Sequence, residues 1–316
     1  MRSRTLIGTL ALMLAGLANA APAQPFPGQE PLQLVVPFAA GGAVDTMARA
    51  FARGLSTQLG QQAIVLNKDG AGGTIGFWQV ARAKPDGHVL AFGPSTPVTA
   101  GHLLSGGPKY DQFVPVCQTH ENIMAVIVRE NSPARSIQQL LALAKEQPGK
   151  ISYGHAGQGT VPHLSMESFA GGVGLSFNAI AYRGDGPMVN DLMGGQLDAG
   201  VSSIAAAAKN NPRLRVLALF AGQRQPGWPD VPVMSEVGRT PLAPGLNGLW
   251  APKGTSAEAI AVLEKACDAI VQSDEFRQTA DALSQRPVFL SSKQYLQRVA
   301  NDYTVLEKTI HTLNLK

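Results

Sequence analysis

Short apolar runs alternate along this chain with longer segments in which apolar residues recur every three or four positions. Leu32–Val36 is an unbroken apolar run, and Met47, Ala48, Phe51, Ala52, Leu55 and Leu59 then fall on one helical face. Strands are predicted over 63–66 and 88–92, with a helix over 75–83 between them. This β-α-β-α-β order predicts a parallel α/β unit. A second series opens near Met124 with a strand over 124–128. Ser136 caps a helix carrying Ile137, Leu140, Leu141 and Ala144, and Pro148-Gly149 stops it. Strands follow over 151–153, 179–182, 197–201 and 215–220, with helices after 160 and over 187–193. The stretch 222–244 is rich in Pro and Gly and reads as a long connection; 247–251 returns to strand. Helices over 257–271, 275–283 and 293–313 form a tail that needs a layer to cover, which the first unit can accept. The expectation is an α/β protein of two lobes with the chain crossing near 120–128 and 240–250. One lobe takes 21–124 and 249–316, the other 125–248.

The first residues change the picture of where this fold resides. Arg2 and Arg4 precede an uncharged apolar stretch over 5–17, and Ala18-Asn19-Ala20 offers a cleavage site. Residues 1–20 therefore read as a signal peptide cut after Ala20, with Ala23 as a second choice. The apolar stretch falls short of the ~20 residues that span a bilayer, and no cysteine stands at the cut to take a lipid. An exported, soluble product is expected. Hydrophobic residues make up 45% and charged residues 15% of the 316, enough for a substantial core. The formal charge of +4 includes Arg2 and Arg4, too weak a field to imply nucleic acid. Cys117 follows a strand-like run and Cys267 shares a helical face with Ile260, Leu263 and Ile270. Export permits a bridge between them, but their separation is large and neither neighbourhood looks like a disulfide scaffold, so the reading favours unpaired cysteines.

Candidate chemistry gathers at turns that follow strands. At Val35-Val36-Pro37-Phe38-Ala39-Ala40-Gly41-Gly42-Ala43-Val44-Asp45 a strand meets a tight turn and a helix start. Free backbone N–H groups and the positive end of the helix dipole then face one spot, which suits an anion. The alternative is an ordinary β-α loop in which glycine serves geometry alone. Asp45 reads as a helix N-cap, or else as an acceptor for a ligand ammonium or hydroxyl. Gly70-Ala71-Gly72-Gly73-Thr74-Ile75-Gly76 approaches a dinucleotide fingerprint but places Ile75 where the third glycine belongs, so no nicotinamide cofactor is expected and a packing turn fits better. His155, Ala156, Gly157, Gly159 and Thr160 form a second strand-turn-helix junction. Ser95 and Thr96, and Tyr182 and Arg183, end two more strands, and such strand ends line a cleft in open α/β sheets. The six histidines are scattered; His155 and His163 flank one turn and fit packing roles better than metal ligation. No nucleophile elbow, zincin or Walker motif is present, so no catalytic residue, metal or cofactor is expected. Two rival readings stand beside a receptor: an exported hydrolase using His155 or His163, and a ligand-presenting sensor without transport.

The order of these segments resembles a known family. Residues 35–49, Gly70–Gly76, Pro85-Asp86-Gly87, Tyr153–Thr160, Pro162-His163-Leu164, Tyr182-Arg183-Gly184-Asp185-Gly186-Pro187, Asp191–Asp198 and Trp250–Thr255 together are similar to the substrate-binding receptors of tripartite tricarboxylate transporters, the Bug proteins. The resemblance covers nearly all of the chain beyond the signal. It implies a type II-like, Venus-flytrap periplasmic binding protein that closes over a small carboxylated ligand, performs no chemistry, acts as a monomer and hands its ligand to integral-membrane transporter subunits. By the same resemblance the carboxylate is held by Phe38–Asp45 of one lobe and Ala156–Thr160 of the other, with Ser95, Thr96, Tyr182 and Arg183 as rims. Arg183 stands where lysine is common, His155 replaces a usual serine, and 95–102 carries Pro97.

Overall fold

The computed structural model describes residues 26–203, 211–225, 227–238, 242 and 244–312. The expected signal segment with its cleavage point, and the predicted last residue of the tail helix, Leu313, lie outside the described residues. Following the chain, β1 (Leu32–Val36) leads through α1 (Ala43–Leu59) to β2 (Ala63–Asn67), and α2 (Thr74–Ala81) leads to β3 (Val89–Pro94). After α3 (Ala100–Ser105) comes the long β4 (Phe113–Asn122), which passes through Ile123 directly into β5 (Met124–Arg129). Then follow α4 (Ile137–Glu146), β6 (Ser152–His155), α5 (Val161–Gly172), β7 (Asn178–Ala181), α6 (Asp185–Gly194), β8 (Ala199–Ser203) and β9 (Leu214–Phe220). The chain returns as β10 (Gly245–Pro252), α7 (Ala257–Gln272), α8 (Asp274–Ala282), β11 (Arg286–Ser291) and α9 (Ser292–Thr312).

Two sheets result. One is six-stranded in the order β11-β4-β10-β3-β1-β2, the other five-stranded in the order β7-β6-β8-β5-β9. In the first, β1 runs parallel to β2 and β3, while β10 is antiparallel to β3 and β4, and β11 is antiparallel to β4. In the second, β6 is parallel to β7 and β8, and β5 is antiparallel to β8 and β9. Each sheet with its helices forms one lobe. The expected divisions after 124 and after 248 cut through strands and need correction. Met124 already pairs with Ser203 and Phe220 in the second sheet, and residues 245–248 pair with β3 and β4 in the first.

The first sheet holds two strands, β4 and β11, beyond those predicted at 32–36, 63–66, 88–92 and 247–251, and physical reasons hide them. The second half of β4 is Gln118-Thr119-His120-Glu121-Asn122, polar throughout yet buried. Glu121 is sealed because Arg298 of α9 (2.5 Å) and Arg286 of β11 both pair with it. β11 carries Pro287, which an edge strand tolerates because no inner neighbour needs its N–H. The tail helices do cover the first sheet. Met47, Phe51 and Leu55 of α1 pack in one cluster with Phe92, Leu263, Ile270 and Phe276. α1 ends at Gly60, whose φ of +65° terminates the helix in the left-handed region. Cys117 of β4 and Cys267 of α7 are joined as a disulfide, which corrects the reading of unpaired cysteines: the fold brings the strand and the helix together across the long separation. The second lobe has its own core around Val126, Ile137, Leu140, Tyr153, Phe169 and Val201.

Candidate functional site

A cavity of about 40 Å³, partly open to solvent, lies between the lobes. Its first-lobe wall comes from the β1–α1 turn (Phe38, Ala39, Gly42, Ala43, Val44, Asp45), from Pro94 and Thr96 after β3, and from Asn122 ending β4. Its second-lobe wall comes from Met124, from the β6–α5 turn (Ala156, Thr160, Val161, Pro162), from Gly184 and Asp185 opening α6, and from Ser203 ending β8. β1, β3, β6, β7 and β8 thus all point their carboxyl ends at one crevice, the place where open α/β sheets hold ligands.

Helix geometry makes this crevice attractive to an anion. The first-turn amides of α1 (Ala43, Val44, Asp45) have no acceptor within their own helix, and the same holds for Val161 and His163 in α5. Hydroxyl groups complement them. Thr96 Oγ1 and Ser203 Oγ are buried, belong to wall residues and have no hydrogen-bond partner among the described residues. A buried hydroxyl without a partner costs stability.

Asp45 serves the turn itself. It lies within the first turn of α1, whose N-cap is Gly42, so the N-cap expectation for Asp45 is corrected by one turn of backbone. Its Oδ2 accepts from Gly41 N–H (2.9 Å) and Arg49 Nε (3.0 Å), and its Oδ1 accepts from Asn67 Nδ2 (2.9 Å). Burial alone would raise its pKa, but the bonds from Arg49, Gly41 and Asn67 outweigh burial and hold it below the ordinary value. Asp45 is therefore an internal clamp that shapes the β1–α1 turn. Asn67 Nδ2 extends the clamp by donating to Phe38 O as well (3.0 Å).

The second turn is built differently from the sequence expectation. Gly159 N–H donates to His163 Nδ1 (3.2 Å). His155 Nδ1 stands 2.9 Å from Gly157 O and 3.2 Å from Gly157 N, so its tautomer decides which of the two it engages. The two imidazoles stack with centroids 4.6 Å apart. Burial, and then the neighbouring His163, push His155 down to about 4, and burial lowers His163 as well. Both rings are neutral at pH 7 and supply no positive charge. Thr160 Oγ1 donates back to Gly157 O (2.6 Å).

Of the residues expected at the site, Phe38, Ala39, Gly42, Asp45, Thr96, Ala156 and Thr160 are on the cavity wall. Ala40 and Gly41 are exposed beside it, and Gly41 (φ +83°) is required by its backbone conformation alone, since a Cβ there would meet open space. Ser95 lines a smaller neighbouring cavity shared with Thr96, Leu246 and Asp302. Tyr182 turns its hydroxyl to Asp191 (2.8 Å), and Arg183 is exposed and off the wall. His155, Gly157 and Gly159 are behind the wall. A Cβ on Gly157 would stand 3.0 Å from Gly72 Cα of the opposite lobe, and one on Gly72 would collide with the Gln158 carbonyl. These glycines let two turns from different lobes meet backbone to backbone. Asn122, Met124, Asp185 and Ser203 are wall residues that sequence reasoning did not select. Asn122 and Met124 flank the chain crossing, and Ser203 ends a strand whose predicted limit fell short of it.

Among the described residues no group of three or more His, Cys, Asp or Glu side chains is placed to hold a metal ion. Comparison with known proteins follows from this geometry. The family model described as the tripartite tricarboxylate transporter family receptor matches residues 47–315. Protein BugT of Bordetella pertussis is 32% identical over 295 residues, covering 91% of this chain and 90% of BugT. The periplasmic binding protein BugD superposes with a TM-score of 0.85 at 30% identity, over 90% of this chain and 98% of that one. MatC of Rhodopseudomonas palustris, solved with bound malate, superposes with a TM-score of 0.83 at 27% identity, over 90% of this chain and 100% of that one.

Proposed function

This chain belongs to the family of tripartite tricarboxylate transporter receptors, and from that premise we propose that its interlobe cavity captures a small carboxylate and delivers it to membrane transporter subunits. The observation that carries the reading is the convergence of the α1 and α5 first-turn amides with the unpartnered hydroxyls of Thr96 and Ser203 on one cavity. Removing a carboxylate from water costs several kcal/mol unless donors replace the water. Hydrogen bonds to a charged group return about 1.5–3 kcal/mol each. Four such donors, shared between lobes, are compatible with micromolar affinity, about −8 kcal/mol. Donors from both lobes make the ligand favour the arrangement in which the lobes meet, which is the state a membrane partner can read. Among the described residues, Ile123 between β4 and β5 is one point at which the chain passes from lobe to lobe.

The related MatC holds malate, which makes carboxylates the first panel to try. Purified protein, stripped of ligand by unfolding and refolding, is expected to gain several degrees in Tm with at least one small mono- or dicarboxylate, and to bind it with 1:1 stoichiometry in calorimetry. A broad panel that leaves Tm and heat unchanged contradicts the reading. The family's setting is the periplasm; cleavage after Ala20 is part of the proposal, and N-terminal sequencing of exported protein beginning at Ala21 is its expected result.

A further inference from the structure

One polar group on the cavity wall has the wrong sign for a simple anion site. Asp185 opens α6 and lines the cavity, and its Oδ1 is buried with no hydrogen-bond partner. The Ser202 hydroxyl lies close enough to favour the charged carboxylate without forming a well-shaped hydrogen bond. The wall residues include two charged side chains, Asp45 and Asp185, and no cation. Asp45 has both oxygens satisfied by Gly41, Arg49 and Asn67. Arg49, the nearest cation of α1, is spent on Asp45 and Asn67. Asp185 therefore stands on the cavity wall with one carboxylate oxygen that no well-shaped hydrogen bond among the described residues completes.

Resting on the carboxylate reading above, we propose that the ligand is a zwitterion of the amino-acid type, with its ammonium received by Asp185 Oδ1 and its carboxylate held by the helix N-termini and the hydroxyls of Thr96 and Ser203. A dianion would place a second negative charge before an unpaired carboxylate in a site without cations, a repulsion that grows as water leaves. An ammonium removes that repulsion and supplies the missing donor, and a charge-assisted hydrogen bond in a desolvated site is the strong kind. Burial pushes Asp185 up to about 6, with the Ser202 hydroxyl pulling the other way; the carboxylate is still charged at neutral pH, and a cation beside it stabilises that form further. Thr96 and Ser203 come from opposite lobes, so a carboxylate held by both joins the two walls while the amine meets α6.

The test is calorimetric titration of the refolded protein with a panel of amino acids, each paired with the acid that lacks the amine (aspartate with succinate, alanine with propionate, and so on through the set). The amino acid of the best pair is expected to bind at least tenfold tighter than its partner. Asp185→Asn, which keeps the shape and removes the charge, is expected to bring that ratio close to one, and Asp185→Ser serves as the second variant should the amide disturb the start of α6. Circular dichroism melts verify that each variant is folded. Equal affinity within every pair, or a ratio that both variants leave unchanged, overturns the assignment of Asp185 while leaving a carboxylate receptor in place. Failure of every compound on both sides of the panel overturns the receptor reading and this inference together.

Discussion

At the scale of single residues, the site separates groups that shape the cavity from groups that wait for a ligand. Asp45 shapes it. Replacing Asp45 with Ala strands Gly41 N–H, Asn67 Nδ2 and the Arg49 guanidinium. Loss of charged hydrogen bonds of this kind costs about 2–3 kcal/mol, which urea unfolding is expected to register. Thr96 and Ser203 wait. Their hydroxyls make no bond among the described residues, so Thr96→Val and Ser203→Ala are expected to leave the ligand-free Tm nearly unchanged while weakening carboxylate binding about tenfold each. Calorimetry on the two variants decides it; full affinity in both places the ligand elsewhere.

At the scale of elements, the glycine-rich turns carry two distinct duties that look alike in sequence. Gly41 needs only its φ of +83°, with open space where a Cβ would go. Gly72 (φ +61°) lies off the cavity wall, yet a Cβ there would strike the Gln158 carbonyl across the lobe interface. Gly72→Ala is therefore expected to weaken binding by tenfold or more through hindered lobe contact, with scattering in saturating ligand showing a larger radius than wild type; Gly41→Ala keeps the wild-type radius. Much of the frame was legible beforehand. The periodic faces of α1, α4 and α7, the capped start at Ser136 and the apolar strands β1, β5 and β9 follow from local pattern alone. The polar half of β4 was not, because Glu121 and His120 are buried by partners that arrive from distant segments. The same reason governs the site. Phe38, Gly42, Thr96, Ala156 and Thr160 were visible as turns after strands. That Gly157 would pack on Gly72 depends on which lobe surfaces meet; that histidine rings would engage the amides of Gly157 and Gly159 depends on local turn geometry that periodicity does not report.

At the scale of the molecule, the disulfide and the buried titrating groups set the terms of stability. Cys117 precedes the second lobe and Cys267 follows it, so the bond encloses that lobe in a loop spanning 150 residues of sequence. Constraining so long a loop is worth about 2–5 kcal/mol; Cys117→Ser with Cys267→Ser is expected to lose that much in chemical unfolding. Acid acts through the histidines. Burial pushes His120 down to about 3, holds His155 at about 4 together with His163, and lowers His163. The unfolded chain binds these protons near pH 6.5 and the folded chain does not, so stability falls as pH drops below 6.5, by about 1.4 kcal/mol per pH unit for each histidine at full slope. Asp185 and Asp302 oppose this. Burial raises both to about 6, so the folded state holds protons there that the unfolded state has released. Three histidines against two aspartates leave a net loss, and Tm is expected to fall between pH 6.5 and 4.5, with His120→Gln flattening the decline. A Tm that rises on acidification reverses the assignment.

The central claim is that the crevice between the two sheets is where a carboxylate is held. The most direct measurement is a crystal structure of the protein with a carboxylate that calorimetry shows it binds. The account predicts the carboxylate oxygens within hydrogen-bond reach of the α1 and α5 first-turn amides and the hydroxyls of Thr96 and Ser203. A ligand bound on the outer face of either lobe, with this crevice holding only water, contradicts it.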